Sequence, residues 1–176
     1  MDYNRYCYQC MSLLETPNQI CPYCGYDNHA RKHDPDSLPF GIIGETYLVG
    51  TVLGKGRFGF TYIGRDLDQD RVVIVKEFFP HSMVTRASGS NLVSPLKSED
   101  EESFNQDCEL IHREATAVMN DGVIDNTACI YNVLSENNTI YIIMEYIAGI
   151  KLSDLISSSG KAMPVDRALT LLAPIF

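Results

Sequence analysis

From Glu45 onward the chain alternates short apolar runs with polar breaks. Apolar and β-branched residues gather at 47–53, 60–65 and 71–77, separated by a glycine-rich segment (Gly54, Gly56, Gly59) and by Asp66-Leu67-Asp68-Gln69-Asp70. Runs of that length between Gly- and Asp-rich breaks predict β-strands. Residues 80–98, with Pro80 and Ser88-Gly89-Ser90-Asn91, read as a long loop. A helix is predicted next, because Phe104, Cys108, Ile111, Ala115 and Val118 recur at helical spacing and form one apolar stripe. Ser98 and Glu101 have the form of a capping box, and the acids at 99–102 suit the positive end of a helix dipole. Two more strand-like runs, 129–134 and 139–145, flank Glu136-Asn137-Asn138, a good hairpin turn. A short stretch at 152–156 follows Gly149. Pro164 then opens a helical pattern of Val165, Ala168, Leu169, Leu172 and Phe176.

The first 44 residues carry no such periodicity. Four of the six cysteines fall within the first 24, and Gly, Pro, His and charged residues dominate 25–44. The expected division is a small cysteine module over 1–33, a linker over 34–44, a strand-rich domain over 45–147 and the start of a helical region over 148–176.

Composition adds limits. Hydrophobic residues make up 45% of the chain and charged residues 21%, ordinary values for a globular protein. The net charge of −9 disfavours binding to nucleic acid or to an anionic membrane. Three acids balance three bases over 1–33, so the acidity lies downstream. No run approaches the ~18 apolar residues of a membrane span, and MDYNRYCYQC lacks the regions of a signal peptide. A cytoplasmic protein with reduced thiols is therefore expected.

Cys7-Tyr8-Gln9-Cys10 and Cys21-Pro22-Tyr23-Cys24 are two C-x2-C pairs with ten residues between them. Two intervening residues let one tight turn aim both sulfurs at a single ion, and a second turn completes a tetrahedron. The alternatives are disulfides, free thiols or a redox pair; the first two suit a reducing compartment poorly, and no βαβ pattern supports the third. The expectation is a structural zinc ion on Cys7, Cys10, Cys21 and Cys24, whose binding energy folds a module too small to fold unaided. His29 and His33 are surplus to that shell. Cys108 and Cys129 read as buried small hydrophobes.

Gly54-Lys55-Gly56-Arg57-Phe58-Gly59 spells G-x-G-x-x-G between two strand-like runs, and Lys76 ends a β-branched strand seventeen residues beyond Gly59. With Val73-Ile74-Val75-Lys76, the helix segment His112-Arg113-Glu114-Ala115 and Ile142-Ile143-Met144-Glu145-Tyr146 before Gly149, these motifs resemble, in order, the N-lobe of bacterial-type Ser/Thr protein kinases over about residues 45–176. The resemblance implies an α+β fold: a zinc ribbon, a five-stranded antiparallel sheet with one major helix, and an incomplete helical C-lobe. It implies that Leu53, Gly54, Lys55, Gly56, Arg57, Phe58, Gly59, Thr61 and Ile74 cover ATP, and that Lys76 holds its phosphates and pairs with Glu114. Met144 would be the gatekeeper, and backbone groups of Glu145 and Ile147 would bind adenine.

Three departures qualify the resemblance. Ile74 stands where the family has alanine, Thr61 where it has valine, and the stretch from Lys76 to Glu114 is long, with Pro80, His81 and Arg86 in an extra loop. His81 is expected to be solvated. Neither H-R-D-x-x-x-x-N nor D-F-G occurs in these 176 residues, so the catalytic aspartate and the Mg²⁺ ligands are absent from them. The resemblance therefore implies the ATP-binding front of a kinase that phosphorylates a protein substrate when complete. A non-catalytic kinase-like scaffold, with a protein partner for the ribbon, is the alternative.

Overall fold

The computed structural model describes residues 3–17, 19–30, 34–160 and 162–175; Arg31, Lys32, His33 and Phe176 lie outside them, as do the side chains of Ser159 and Ile175. The strands are β1 (Gly41–Ile43), β2 (Tyr47–Gly56), β3 (Gly59–Asp66), β4 (Arg71–Phe78), β5 (Val84–Arg86), β6 (Val93–Pro95), β7 (Ile130–Glu136) and β8 (Thr139–Glu145). The helices are α1 (Glu101–Asn120), α2 (Leu152–Ser159) and α3 (Val165–Leu172). Among the described residues no helix is long and apolar enough to cross a membrane.

The main sheet is antiparallel in the order β1-β2-β3-β4-β8-β7, one strand wider than the five expected. The sixth is β1, inside the expected linker, where Ile42 faces Leu48 and Ile43 faces Tyr47. Three residues after Pro39 are too short a run to announce a strand; the free edge of β2 supplies the pairing.

Cross-strand partners share a face. Thr61, Lys76 and Ile142 form one row, and Ile63, Ile74 and Met144 form the next on the same face. The opposite face carries Tyr62, Val75 and Ile143, buried with Leu38, Phe79, Val84 and Val93 in the main core.

Residues 80–98 are more ordered than the loop expected there, since β5 and β6 form a two-stranded ladder. Arg86 explains its placement. Its guanidinium is ion-paired with Glu77, both side chains being almost wholly buried, and it donates to the Asp36 carbonyl at 2.9 Å. The Tyr62 hydroxyl donates to the same Glu77 carboxylate at 2.6 Å and accepts the Leu38 amide at 2.9 Å. His81 is not solvated as expected. Its ring lies against Phe60 and Phe79 at 5.1 and 5.2 Å, and its Nε2 is buried with no hydrogen-bond partner among the described residues.

Helix α1 packs on the sheet from Phe104 to Ala115, with Phe104 stacked on Phe78 at 5.6 Å. Phe104 and Ala115 are buried and Cys108 and Ile111 half-buried, but Val118 is exposed, so the stripe ends a turn early. The capping box does not form. A 3-10 turn over Ser98–Asp100 precedes the helix, and Asp100 is an N-cap without a side-chain hydrogen bond. Pro164 stands at the N-cap of α3.

Candidate nucleotide cleft and metal centre

Two cavities lie along the face that bears Thr61 and Lys76. One, of about 310 Å³, is lined by the glycine-rich turn from Gly56 to Phe60, by Phe78 and Ile142, and by Ile111 of α1. The other, of about 600 Å³, is lined by Leu53, Gly54, Ile74, Met144, Glu145, Tyr146, Ile147 and Gly149. Thr61 and Lys76 line both, so the lysine stands where the two meet. Of the residues singled out in the sequence for this cleft, all but Lys55 and Glu114 line one or other of these cavities. Ile74 lines the larger cavity. Ile111, Phe78 and Ile142 were missed, because nothing in their own sequence context distinguishes a cleft-lining apolar residue from core.

The three glycines are not equivalent. A Cβ on Gly59 would lie 1.9 Å from the Glu77 carbonyl oxygen, and its φ of +142° is unfavourable for any other residue, so the fold itself requires glycine there. A Cβ on Gly54 would meet nothing within 4 Å, and one on Gly56 only the Gly59 carbonyl at 4.0 Å. Packing within the chain does not demand glycine at those two positions.

Lys76 and Glu114 are both exposed, and no ion pair joins them. The anticipated contact is missing because α1 turns Phe104, Cys108, Ile111 and Ala115 to the sheet and leaves Glu114 beside that stripe, facing water. Lys55, inside the glycine-rich turn, is instead paired with Asp34 at 3.3 Å and Asp36 at 3.8 Å. Burial tends to raise Asp34, but the Asp36 amide and Lys55 outweigh it and hold its carboxyl below the usual range.

The four cysteines of the N-terminal module converge. The sulfurs of Cys7, Cys10, Cys21 and Cys24 all lie within 4.8 Å of one another, and none is in a disulfide. Cys7 and Cys24 approach to 3.6 Å and Cys10 and Cys21 to 3.7 Å. Zinc–sulfur bonds of about 2.3 Å in a tetrahedron place sulfurs about 3.8 Å apart, so the donor set and its spacing fit that ion.

The two turns are built alike, with the Met11 amide donating to the Cys7 carbonyl at 2.8 Å and the Gly25 amide to the Cys21 carbonyl at 2.9 Å. Burial pushes the Cys21 thiol up, yet the amides of Cys24 and Tyr23 and the neighbouring thiols outweigh it and leave it at about 7. Cys24 is pushed up to about 12 by burial and by the three other sulfurs. Four thiols gathered this closely resist carrying charge together without a cation.

No protein-family model matches the chain. In sequence it is similar to CBL-interacting protein kinase 14 of Oryza sativa subsp. japonica, 28% identical over 124 residues, covering 70% of this chain and 24% of that protein. It is 27% identical over 140 residues to calcium-dependent protein kinase 31 of Arabidopsis thaliana, covering 78% of this chain and 25% of that protein. In fold it matches the apo form of PpkA-294 with a TM-score of 0.63 at 21% identity, over 69% of this chain and 43% of that one. The Mycobacterium tuberculosis PknI kinase domain follows at 0.57 and 15%, over 79% of this chain and 48% of that one. The chain carries a protein-kinase N-lobe fold. It spans about a quarter of the length of the curated relatives it matches.

Proposed function

We propose that this chain is the ATP-binding front of a Ser/Thr protein kinase, with a structural zinc ion on Cys7, Cys10, Cys21 and Cys24. The observation that carries the nucleotide reading is Lys76 at the junction of two cavities, beneath a turn whose Gly54 and Gly56 the fold does not itself require. Adenine would occupy the larger cavity, against Leu53, Ile74 and Met144 and the backbone of Glu145 and Ile147. The phosphates would lie under the backbone amides from Gly54 to Gly59, next to the Lys76 ammonium. Small residues there let the main chain approach the phosphate oxygens. Protein Ser/Thr hydroxyls would be the acceptors in a complete enzyme, with Mg²⁺ held by residues outside this sequence. The 176 residues carry neither D-F-G nor H-R-D, and are expected not to transfer phosphate alone.

One observation favours the alternative of a non-catalytic kinase-like scaffold. Lys76 and Glu114 are unpaired, and kinase catalysis needs that pair in place.

Calorimetry with Mg-ATP tests the cleft. Lys76→Met is expected to weaken binding. Ile74→Ala is expected to strengthen it by about tenfold or more, because an overpacked site costs about 1–3 kcal/mol. Unchanged affinity in both variants would remove the nucleotide reading. Elemental analysis should find about one zinc per chain, and less in Cys21→Ser.

A further inference from the structure

The cysteine module does not hang from a linker. Its first turn is seated on the sheet, and the contacts come from the residues inside and just after that turn. The Tyr8 carbonyl accepts the Thr51 amide at 2.8 Å, Gln9 Oε1 accepts the Thr51 hydroxyl at 3.0 Å, and the Met11 carbonyl accepts Arg65 Nη1 at 3.1 Å. Tyr8 and Met11 are buried with Leu48 and Ile63 in a cluster of their own. Ile63 is the cross-strand partner of Ile74 in the cleft.

The seat lies at an irregular place. The pairing of β2 with β3 shifts register between Val49 and Val52 and again before Gly54, where the glycine-rich turn begins. Thr51, within that irregularity, gives its amide to Tyr8, so the bulge is closed by the cysteine module. Gly50 beside it has no room for a side chain: a Cβ would lie 2.2 Å from Met11 Cε and 2.4 Å from the Tyr8 carbonyl oxygen.

Comparison of the two cysteine turns shows a cost accepted for this seat. The residue after the second cysteine adopts left-handed φ in both, +58° at Met11 and +74° at Gly25. Glycine takes that conformation freely, and a Cβ on Gly25 would touch nothing. A methionine there is strained. Met11 is completely buried, and its side chain is what fills the space over Gly50.

We propose that metal occupancy of the four cysteines regulates the glycine-rich turn, the seated first cysteine turn holding the β2 bulge from which that turn starts. The metal aims Cys7 and Cys10, which fixes the carbonyls of Tyr8 and Met11 between and after them. Without it, the Thr51 amide loses its acceptor and the strand loosens into Leu53 and Gly54. Lys55, tied to Asp34 and Asp36 just downstream of the module, extends the same restraint to the tip. The effect on nucleotide affinity rests on the nucleotide reading given above.

The test compares the full chain loaded with zinc, the chain freed of zinc by chelation and buffer exchange, and Gly50→Ala loaded with zinc. Hydrogen exchange at Thr51 and through 52–60 should be about fivefold faster or more in the last two, as expected for loss of one amide bond. Mg-ATP affinity should fall by about the same factor, while Gly50→Ala keeps its zinc. If Gly50→Ala does not fold, Met11→Ala loosens the same seat by removing the side chain packed over Gly50. Unchanged exchange at Thr51 overturns the proposal, as does faster exchange with undiminished ATP affinity. Absence of ATP binding in the loaded chain refutes the nucleotide reading instead, and exchange alone then decides whether the module holds the turn.

Discussion

Arg86 and Glu77 are ionised side chains removed almost entirely from water, and each is surrounded by groups that answer its charge. Burial works to lower the Arg86 pKa, but the Glu77 carboxylate prevails and raises it. Arg86→Met leaves the Glu77 carboxylate buried without its cation. The expected loss in urea denaturation is about 3–5 kcal/mol, largely recovered in the double variant Glu77→Leu/Arg86→Met. His81 gives a pH signature. Burial first, then Lys55, lowers its pKa from 6.5, against the opposite pull of Asp36, Asp34 and Glu77. The unfolded chain therefore takes up the proton first as pH falls, so stability is full above about 6.5 and declines below it. Thermal melts from about pH 7.5 to 5.5 should show that decline, and His81→Phe should flatten it. Neither residue's role was legible in the sequence, because each depends on partners brought near by the fold.

At the scale of elements, α1 shows both the reach and the limit of periodicity. The apolar spacing located the helix and its buried face, yet Val118 extended the stripe past the sheet's edge. Phe104→Ala is expected to cost about 3–5 kcal/mol, since it empties the stack on Phe78. Val118→Ala should stay within about 0.5 kcal/mol. Denaturant midpoints of the two variants check the contrast, and equal losses would mean that the helix packs along its whole length. The β5–β6 hairpin was hidden for a different reason. Its strands, Val-Thr-Arg and Val-Ser-Pro, are too short to show an alternation, and what holds them is Arg86 reaching Glu77.

At the scale of the molecule, the cysteine module and the sheet share one apolar cluster, which makes them a single packed body instead of beads on a linker. At the other end, α3 exposes Val165 and Leu169 at 72% and 63%. An unshielded apolar helix face promotes association. Sedimentation velocity should show mass rising with concentration, and Val165→Gln with Leu169→Gln should reduce it. A monomer at every concentration would contradict the expectation.

What the residues determined alone was whatever depends on spacing along the chain. Two C-x2-C pairs place four sulfurs within reach of one ion, and apolar runs set the strands. Three glycines and Lys76 mark a kinase-like cleft because neighbouring antiparallel strands must bring them together. Only tertiary structure decided which glycine the fold needs, that Glu114 faces water instead of Lys76, and that the first cysteine turn rests on Gly50 and Thr51. Those depend on distances between segments far apart in sequence. Packing sets such distances, and local pattern does not encode them.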